Sequence, residues 1–183
     1  MPSYSIIDNF EVHKNNRFLE IAESLKPELL HKEIKAAKEI VVGKDRQMRT
    51  VITEEHPIEN LYAKSLKRDD TVFVDFGDHA VGYVTLELSK TGSHQDAPVY
   101  FYLKFGERLE EMTDKTADYD GWLSRGWIQE EYIHVDVLPA KVKLPRRYSF
   151  RYMELRVIDT SAKFQLKIDG ISCDTVSVSY THL

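Results

Sequence analysis

The tripeptide Asp75-Phe76-Gly77 has the residue order of the loop that holds magnesium in protein kinases. A kinase also needs a glycine-rich phosphate loop, a strand lysine and a catalytic-loop Asp-Asn pair upstream, and the sequence contains none of these. Gly77 and Gly82 form neither a GxGxxG motif nor a Walker loop. We therefore interpret both glycines as bend residues that turn the chain from one strand into the next, where the missing Cβ permits positive φ.

A long segment between two predicted strands, residues 107–131, carries the residue types of a sugar-binding site. It contains Trp122 and Trp127, with Asp120 and Arg125 close to them. A flat indole suits the C–H face of a pyranose, and planar polar side chains suit its hydroxyl groups. The alternative is that both tryptophans only anchor the loop on the fold, and the sequence leaves the two interpretations open.

Hydrolytic chemistry has little support in the sequence. No GxSxG elbow occurs, so a serine hydrolase is not predicted. A glycosidase needs two carboxylates across a cleft, and Glu107, which ends an apolar run, is the most distinctive acidic residue, followed by Asp75. Both side chains also fit as acceptors of backbone or arginine hydrogen bonds at the corners of a sheet. We include Glu107 among the candidate sugar-binding residues and predict no catalytic residue.

No metal or cofactor site is predicted. The seven histidines are scattered, without HxH or HxxxH spacing, and no acidic series has the spacing of a calcium loop. Cys173 is the only cysteine, which excludes an internal disulfide and a site with several thiolates. It lies in a β-rich alternation and is predicted to be a buried, inert thiol.

Composition and charge limit the partners and the compartment. The formal net charge of −5 argues against nucleic acid or an anionic membrane surface as the main partner. The first residues contain Asp8 and Glu11 and no long apolar run, so neither a secretory signal nor a membrane anchor is predicted. We expect a cytoplasmic location, unless a signal was removed from the chain.

The N-terminal part of the chain has a helical pattern. Leu19, Ala22 and Leu25 recur at near-helical spacing, which predicts a short helix that Pro27 stops. A second helical stretch is predicted from residue 28 to about residue 38.

The remainder of the chain has the pattern of a sandwich. We predict an N-terminal helical and extended segment, residues 1–65, that packs on a β-sandwich domain, residues 66–183. In that domain apolar and polar residues alternate, so that Phe101 is expected to face the core while Tyr102 and Lys104 face outward. The runs are short, rich in aromatic and β-branched residues and free of helical crossovers. They therefore predict a mainly β, antiparallel sandwich and not a parallel α/β sheet.

The β-rich region also resembles a known family. Four short motifs carry the resemblance: Asp75-Phe76-Gly77, Gly82-Tyr83, Gly106-Glu107 and Phe150-Arg151-Tyr152. Over about residues 70–180 the chain is similar to the non-catalytic β-sandwich domain of bacterial α-L-rhamnosidases. The resemblance implies a jelly-roll or concanavalin-like sandwich and a carbohydrate partner that contains rhamnose. It also implies that the catalytic acid and base lie in a helical barrel outside this chain, so that the chain itself is not an enzyme.

Three hypotheses about function follow. The first is a non-catalytic, carbohydrate-associated module that binds a glycan weakly. The second is a structural sandwich that packs against a catalytic domain or against its own copy, for which Tyr83, Tyr100 and Tyr102 would supply an apolar outward face. The third is a small hydrolase that uses Glu107 with a second carboxylate.

Overall fold

The computed structural model describes residues 14–178, and this part of the chain is mainly β. Its two α-helices are short: α1 (Asn16–Ser24) and α2 (Ile58–Ala63). Nine strands form one sheet that does not close, and its strand pairs are antiparallel. The strands are β1 (Leu29–Lys35), β2 (Lys38–Lys44), β3 (Thr50–Pro57), β4 (Thr71–Gly92), β5 (Val99–Gly106), β6 (Glu130–Val135), β7 (Ala140–Lys143), β8 (Tyr148–Asp159) and β9 (Phe164–Val178). The prediction of a mainly antiparallel β-fold with a short N-terminal helix is confirmed.

Strand β4 is 22 residues long and organises the sheet. Residues 71–75 pair with β8 and residues 73–75 also with β2, whereas residues 82–92 pair with β9 along one side and with β7 along part of the other. The register against β8 shifts between residues 75 and 80, which is where a β-bulge bends a strand. The prediction that Gly77 and Gly82 turn the chain between two strands is therefore wrong, because both lie within one strand that changes partners.

The predicted second helix is also wrong, because most of residues 28–38 belongs to β1 at the edge of the sheet. Pairing with β9 outweighs the helix propensity of this lysine- and glutamate-rich stretch. Two further bonds tie it to β9: the Ala36 amide donates to the carbonyl oxygen of Ile171 (3.1 Å), and the Thr175 hydroxyl donates to that of Lys32 (2.8 Å). Charged side chains are common on edge strands because they discourage pairing with other chains.

One apolar core lies between two parts of the sheet: the first part is built around residues 71–75 of β4, and the second part around residues 82–92. Val74 and Leu86, from the first and second parts of β4, are both completely buried in it. The rings of Phe105 and Tyr148 stack with centroids 4.3 Å apart, and other aromatic pairs extend the contact. Burying each such side chain contributes about 1.5–3 kcal/mol, so the core holds the two parts together as the layers of a sandwich.

A smaller apolar cluster lies on the outer face of the first part of the sheet. It contains Ile40, Met112 and Tyr152, with Phe73 packed against it. Met112 ends a short 3-10 helix, Leu109–Met112, at the start of the connection from β5 to β6. This connection, residues 107–129, is called the β5–β6 loop below. The cluster fixes the beginning of the β5–β6 loop on the sheet.

Residues 30–177 form one compact unit, and α1 belongs to a second unit. Within α1, the side-chain oxygen of Asn15 accepts a hydrogen bond from the amide of Phe18 (3.2 Å) and caps the helix. The predicted division at residue 65 stays a prediction. The N-terminal residues on which the absence of a secretory signal was predicted lie outside the described residues, as does the end of the last predicted strand.

Candidate functional site

Both oxygens of the Asp75 carboxylate accept hydrogen bonds from protein donors. The guanidinium of Arg151 donates from Nε and Nη2 to its two oxygens, both at 2.9 Å, and the amide of Gly77 donates at 2.7 Å. Burial raises the pKa of the Asp75 carboxyl, but the bonds from Arg151 and Gly77 and nearby positive charge outweigh it and lower the pKa. The carboxylate is an acceptor at a sheet corner, as one of the two interpretations predicted.

The two glycines near Asp75 are required for different reasons. Gly77 has a φ of +85°, in the left-handed region that favours glycine. Gly82 is needed for close approach, because a Cβ there would lie 2.2 Å from the carbonyl oxygen of Asp174 on β9. Both glycines therefore serve the path of β4, and the tripeptide is a structural motif.

The first half of the β5–β6 loop is tied to the sheet by polar bonds. The ammonium group of Lys104 on β5 donates to the carbonyl oxygen of Asp114 (2.5 Å). Glu130, at the start of β6, accepts from the hydroxyl groups of Tyr102 (2.6 Å) and Thr116. Lys104 and Tyr102 do face the outer side of the sheet, but the loop covers them, and only 5% and 6% of their surfaces are exposed.

The second half of the loop carries both tryptophans at the surface. Trp122 is 93% exposed and Trp127 is 75% exposed, so neither indole anchors the loop on the fold. The loop instead holds its own shape: the guanidinium of Arg125 donates to the carbonyl oxygen of Tyr119 (3.1 Å). The Tyr119 ring packs so closely on Gly121 that a Cβ there would lie 2.1 Å from the phenol oxygen.

A cleft of about 610 Å³ opens between β5 and the β5–β6 loop. This volume lies in the usual range of small-molecule sites. The residues that line it include Lys104, Glu111, Asp118, Tyr119, Trp127 and Gln129. Three carboxylates and two ammonium groups lie on its walls, so the cleft favours a neutral ligand over an anionic one.

Of the five predicted sugar-binding residues, Trp127 lines the cleft. Trp122, Asp120 and Arg125 lie on the same loop outside the cleft lining, and all three are exposed. Sequence reasoning missed Lys104 and Tyr119. An alternating strand pattern predicts which face of the sheet a residue lies on, but it does not predict whether a loop covers that face. A lysine among outward tyrosines, followed by a long polar loop, was the available signal.

Glu107 lies outside the cleft lining, in a hydrogen-bonded group with two other side chains. Its Oε1 accepts from the hydroxyl of Ser149 (2.6 Å), and the Nε2 of His79 lies 3.0 Å from that hydroxyl and 3.4 Å from Oε1. The bond from Ser149 lowers the pKa of Glu107, and His79 adds to this. A glycosidase acid needs a raised pKa, so this environment does not suit that role.

The residue types of Glu107, Ser149 and His79 match those of a serine hydrolase triad, but their geometry does not. In a triad one ring nitrogen of the histidine takes the proton of the serine while the other donates to the acid. Here Nε2 faces both Ser149 and Glu107, and the serine donates directly to the carboxylate. The Ser149 hydroxyl hydrogen therefore points at the carboxylate and not at a base that could remove it, so the arrangement does not produce a nucleophile.

Cys173 is completely buried, as predicted, and burial together with the charge of Asp174 raises the pKa of its thiol to about 11. Within residues 14–178, no group of three or more His, Cys, Asp or Glu side chains is placed to hold a metal ion. None of the helices in that part of the chain is long and apolar enough to cross a membrane.

Comparisons with known proteins relate most of the chain to one class of enzymes. Residues 37–175 match the model of the glycosyl hydrolase family 78 alpha-rhamnosidase N-terminal domain. A structure of a rhamnosidase from Klebsiella oxytoca with rhamnose bound superimposes with a TM-score of 0.84 and 35% sequence identity over 90% of this chain. The chain spans only 33% of the length of that enzyme.

A second structure is more distant. The family 78 rhamnosidase of Bacillus sp. GL1 has 17% identity over 60% of this chain and 10% of its own, with a TM-score of 0.43. No curated protein matches the chain.

Proposed function

Because the chain belongs to the family of N-terminal domains of glycosyl hydrolase family 78 α-rhamnosidases, we propose that it is a non-catalytic module that binds a rhamnose-containing glycan weakly. The β5–β6 loop supplies the site, with Trp127 beside the cleft and Trp122, Asp120 and Arg125 on the adjoining surface. Glu107 contributes at the start of the loop.

The exposure of the two indoles carries this proposal. A tryptophan side chain that stays in water gives up the free energy that burial would supply, about 1.5–3 kcal/mol for a large apolar side chain. Two such residues on one loop, 93% and 75% exposed, are better explained by a ligand than by packing. The rhamnose in the Klebsiella oxytoca structure supports the choice of sugar.

The loop also permits a direct test, because Trp122 and Trp127 are the only tryptophans in the chain. Titration with methyl α-L-rhamnopyranoside should change the tryptophan fluorescence and saturate in the millimolar range, which corresponds to about 4 kcal/mol of binding free energy. Ligand-observed NMR gives the same measurement on a variant without tryptophan. Methyl α-D-glucopyranoside tests sugar selectivity.

Two variants locate the binding on the loop. The double variant Trp122→Ala, Trp127→Ala should lose the NMR signal of binding, whereas Val137→Ala, another exposed apolar side chain, should retain it. The proposal fails if no sugar binds at millimolar concentration, or if the double variant binds as the unchanged protein does.

The second candidate function is structural: the module would support a glycosidase catalytic domain. It is favoured by one observation, that the chain corresponds to a third of the length of the Klebsiella oxytoca rhamnosidase. Light scattering on the chain alone, and on a mixture with the remaining two thirds of that enzyme, distinguishes the possibilities. A complex in the mixture supports the structural role, self-association indicates packing between copies, and a monomer in both samples excludes it.

A further inference from the structure

The outer face of β5 and β6 bears a row of aromatic side chains that begins at the cleft. Residues directly opposite each other on the two strands are Lys104 and Glu130 beside the cleft, then Tyr102 and Tyr132, then Tyr100 and His134. Successive side chains on one face of a strand are two residues apart, and a strand rises about 3.3 Å per residue. The row therefore continues about 13 Å beyond Lys104.

The rings in this row are arranged as a surface. Tyr100 and His134 stack almost parallel, with centroids 4.0 Å apart and planes inclined by 6°. The Tyr132 ring lies beside that of Tyr102, with centroids 5.1 Å apart and planes inclined by 56°, and its centroid is 6.3 Å from that of Tyr100. Tyr132 is 59% exposed, so its ring is available to a ligand. We call Tyr100, Tyr132 and His134 the aromatic strip.

Tyr102 lies in the same row, between Lys104 and the strip. It is buried, its hydroxyl donates to Glu130 (2.6 Å), and the guanidinium of Arg156 lies 4.9 Å from its ring centre. Burial and the Glu130 carboxylate raise the pKa of the phenol, so it stays a neutral donor. The exposed rings of Tyr132 and His134 offer stacking to a sugar, and the charged and hydrogen-bonded groups around the neighbouring Tyr102 offer recognition of its hydroxyl groups.

We infer that the ligand of this module is an oligosaccharide, with one sugar in the cleft beside Trp127 and the following sugars along the aromatic strip. This inference rests on the proposed function and adds the length of the ligand and a second subsite. Its basis is continuity: Lys104 lines the cleft and also begins the row, so the two surfaces share a wall. The row is longer than one pyranose ring, so a single sugar in the cleft would leave the aromatic strip without a ligand.

The number of sugar units in the ligand is the variable that tests the inference. Wild-type protein is titrated with methyl α-L-rhamnopyranoside and with rhamnose di- and trisaccharides, followed by tryptophan fluorescence. The trisaccharide should bind at least about fivefold more tightly than the monosaccharide, as expected when one or two rings stack on aromatic side chains. Equal affinity for all three probes would overturn the inference and leave the proposed function intact.

A variant separates the two subsites. Tyr132→Ala should keep the monosaccharide affinity and lose the advantage of the trisaccharide. Tyr83→Ala, a tyrosine on the second part of β4, is the matched control and should keep both affinities. Thermal melting checks that each variant is folded, which the exposure of Tyr132 leads us to expect.

Three further results would count against the inference. If Tyr132→Ala weakens both ligands by the same factor, the strip is not a separate subsite. If Tyr132→Ala changes no sugar affinity but abolishes binding to the remaining two thirds of the Klebsiella oxytoca rhamnosidase, the strip contacts protein. If no sugar binds to the wild-type protein at all, the proposed function and this inference fail together.

Discussion

At the scale of single residues, the ion pair between Asp75 and Arg151 matters because its two partners differ in exposure. The Asp75 side chain is 5% exposed and the Arg151 side chain 39%. Asp75→Asn would remove the charge and leave the amide facing donors that it cannot fully satisfy. We expect a loss of about 1.5–3 kcal/mol in the free energy of unfolding, measured by urea denaturation. Asp159→Asn, which breaks an exposed pair with Arg68, is the control and should cost much less.

The same pair predicts a pH dependence. The pKa of Asp75 is lower in the folded protein than its ordinary value. The stability that it contributes is therefore present above the unfolded pKa of about 3.9 and is lost as the pH falls through the lower folded value. Urea midpoints of wild type and Asp75→Asn should differ by a constant amount near neutral pH and converge in acid. A difference that persists or grows in acid would show that the charge is not its cause.

At the scale of elements, the approach of β4 to β9 depends on the absence of a side chain at Gly82. A Cβ there would lie 2.2 Å from the carbonyl oxygen of Asp174 and 2.7 Å from Sγ of Cys173, and the backbone cannot yield without disturbing the pairing. Gly82→Ala should cost about 1–3 kcal/mol or more in unfolding free energy. Gly126→Ala, whose Cβ would meet its nearest atom at 3.5 Å, should be close to neutral; equal costs would contradict this account.

The β5–β6 loop offers a second element-scale prediction, at its tie to Lys104. Lys104→Met keeps most of the volume but removes the donor to the Asp114 carbonyl oxygen. The Asp114 carbonyl oxygen that loses its donor belongs to an exposed residue and can accept from water instead, so the melting temperature should change little. Amide hydrogen exchange should nevertheless quicken in residues 113–119, and affinity for rhamnoside should fall.

Lys143→Met, an exposed lysine on β7, is the control for this change and should alter neither measurement. Unchanged exchange in Lys104→Met would mean that the other ties of the loop, through Glu130 and Met112, are sufficient.

At the scale of the whole molecule, the strand alternation predicted the class of fold, and four short motifs predicted the family to which the chain belongs. Both rest on local signals: the side-chain period of a strand, and glycines with fixed backbone needs such as Gly77. The continuity of β4 and the strand nature of β1 could not be predicted in this way. They depend on which distant strand supplies the partner hydrogen bonds, and helix propensity in residues 28–38 pointed elsewhere.

The candidate site was likewise predictable only where the signal was local in sequence. The exposed Trp122 and Trp127 were identifiable because their residue type and spacing carry the signal. The cleft was not, because Lys104 from β5 and Tyr119 from the loop meet there only after the loop folds back over the sheet. The aromatic strip could be predicted only in part. Tyr100 was predicted to face outward, but its stacking on His134 depends on the register of β5 against β6.

Because β4 takes part in both layers, residues 30–177 should unfold as one cooperative unit. Leu86 lies in the second part of β4 and Leu155 on β8 beside the first part, and both are completely buried in the same core. Leu86→Ala or Leu155→Ala should each cost about 2–5 kcal/mol. Each should also lower the protection from hydrogen exchange of the most stable amides in both layers.

Calorimetry completes that test, because a single transition requires the calorimetric and van't Hoff enthalpies to agree. The exposed variant Val137→Ala is the control, since its side chain is 72% exposed and belongs to neither layer of the core. Two resolved transitions, with Leu86→Ala moving one and Leu155→Ala moving the other, would mean that the layers unfold independently. In that case β4 would link two separately stable sheets, and a ligand on the β5–β6 loop would stabilise only the layer that carries the loop.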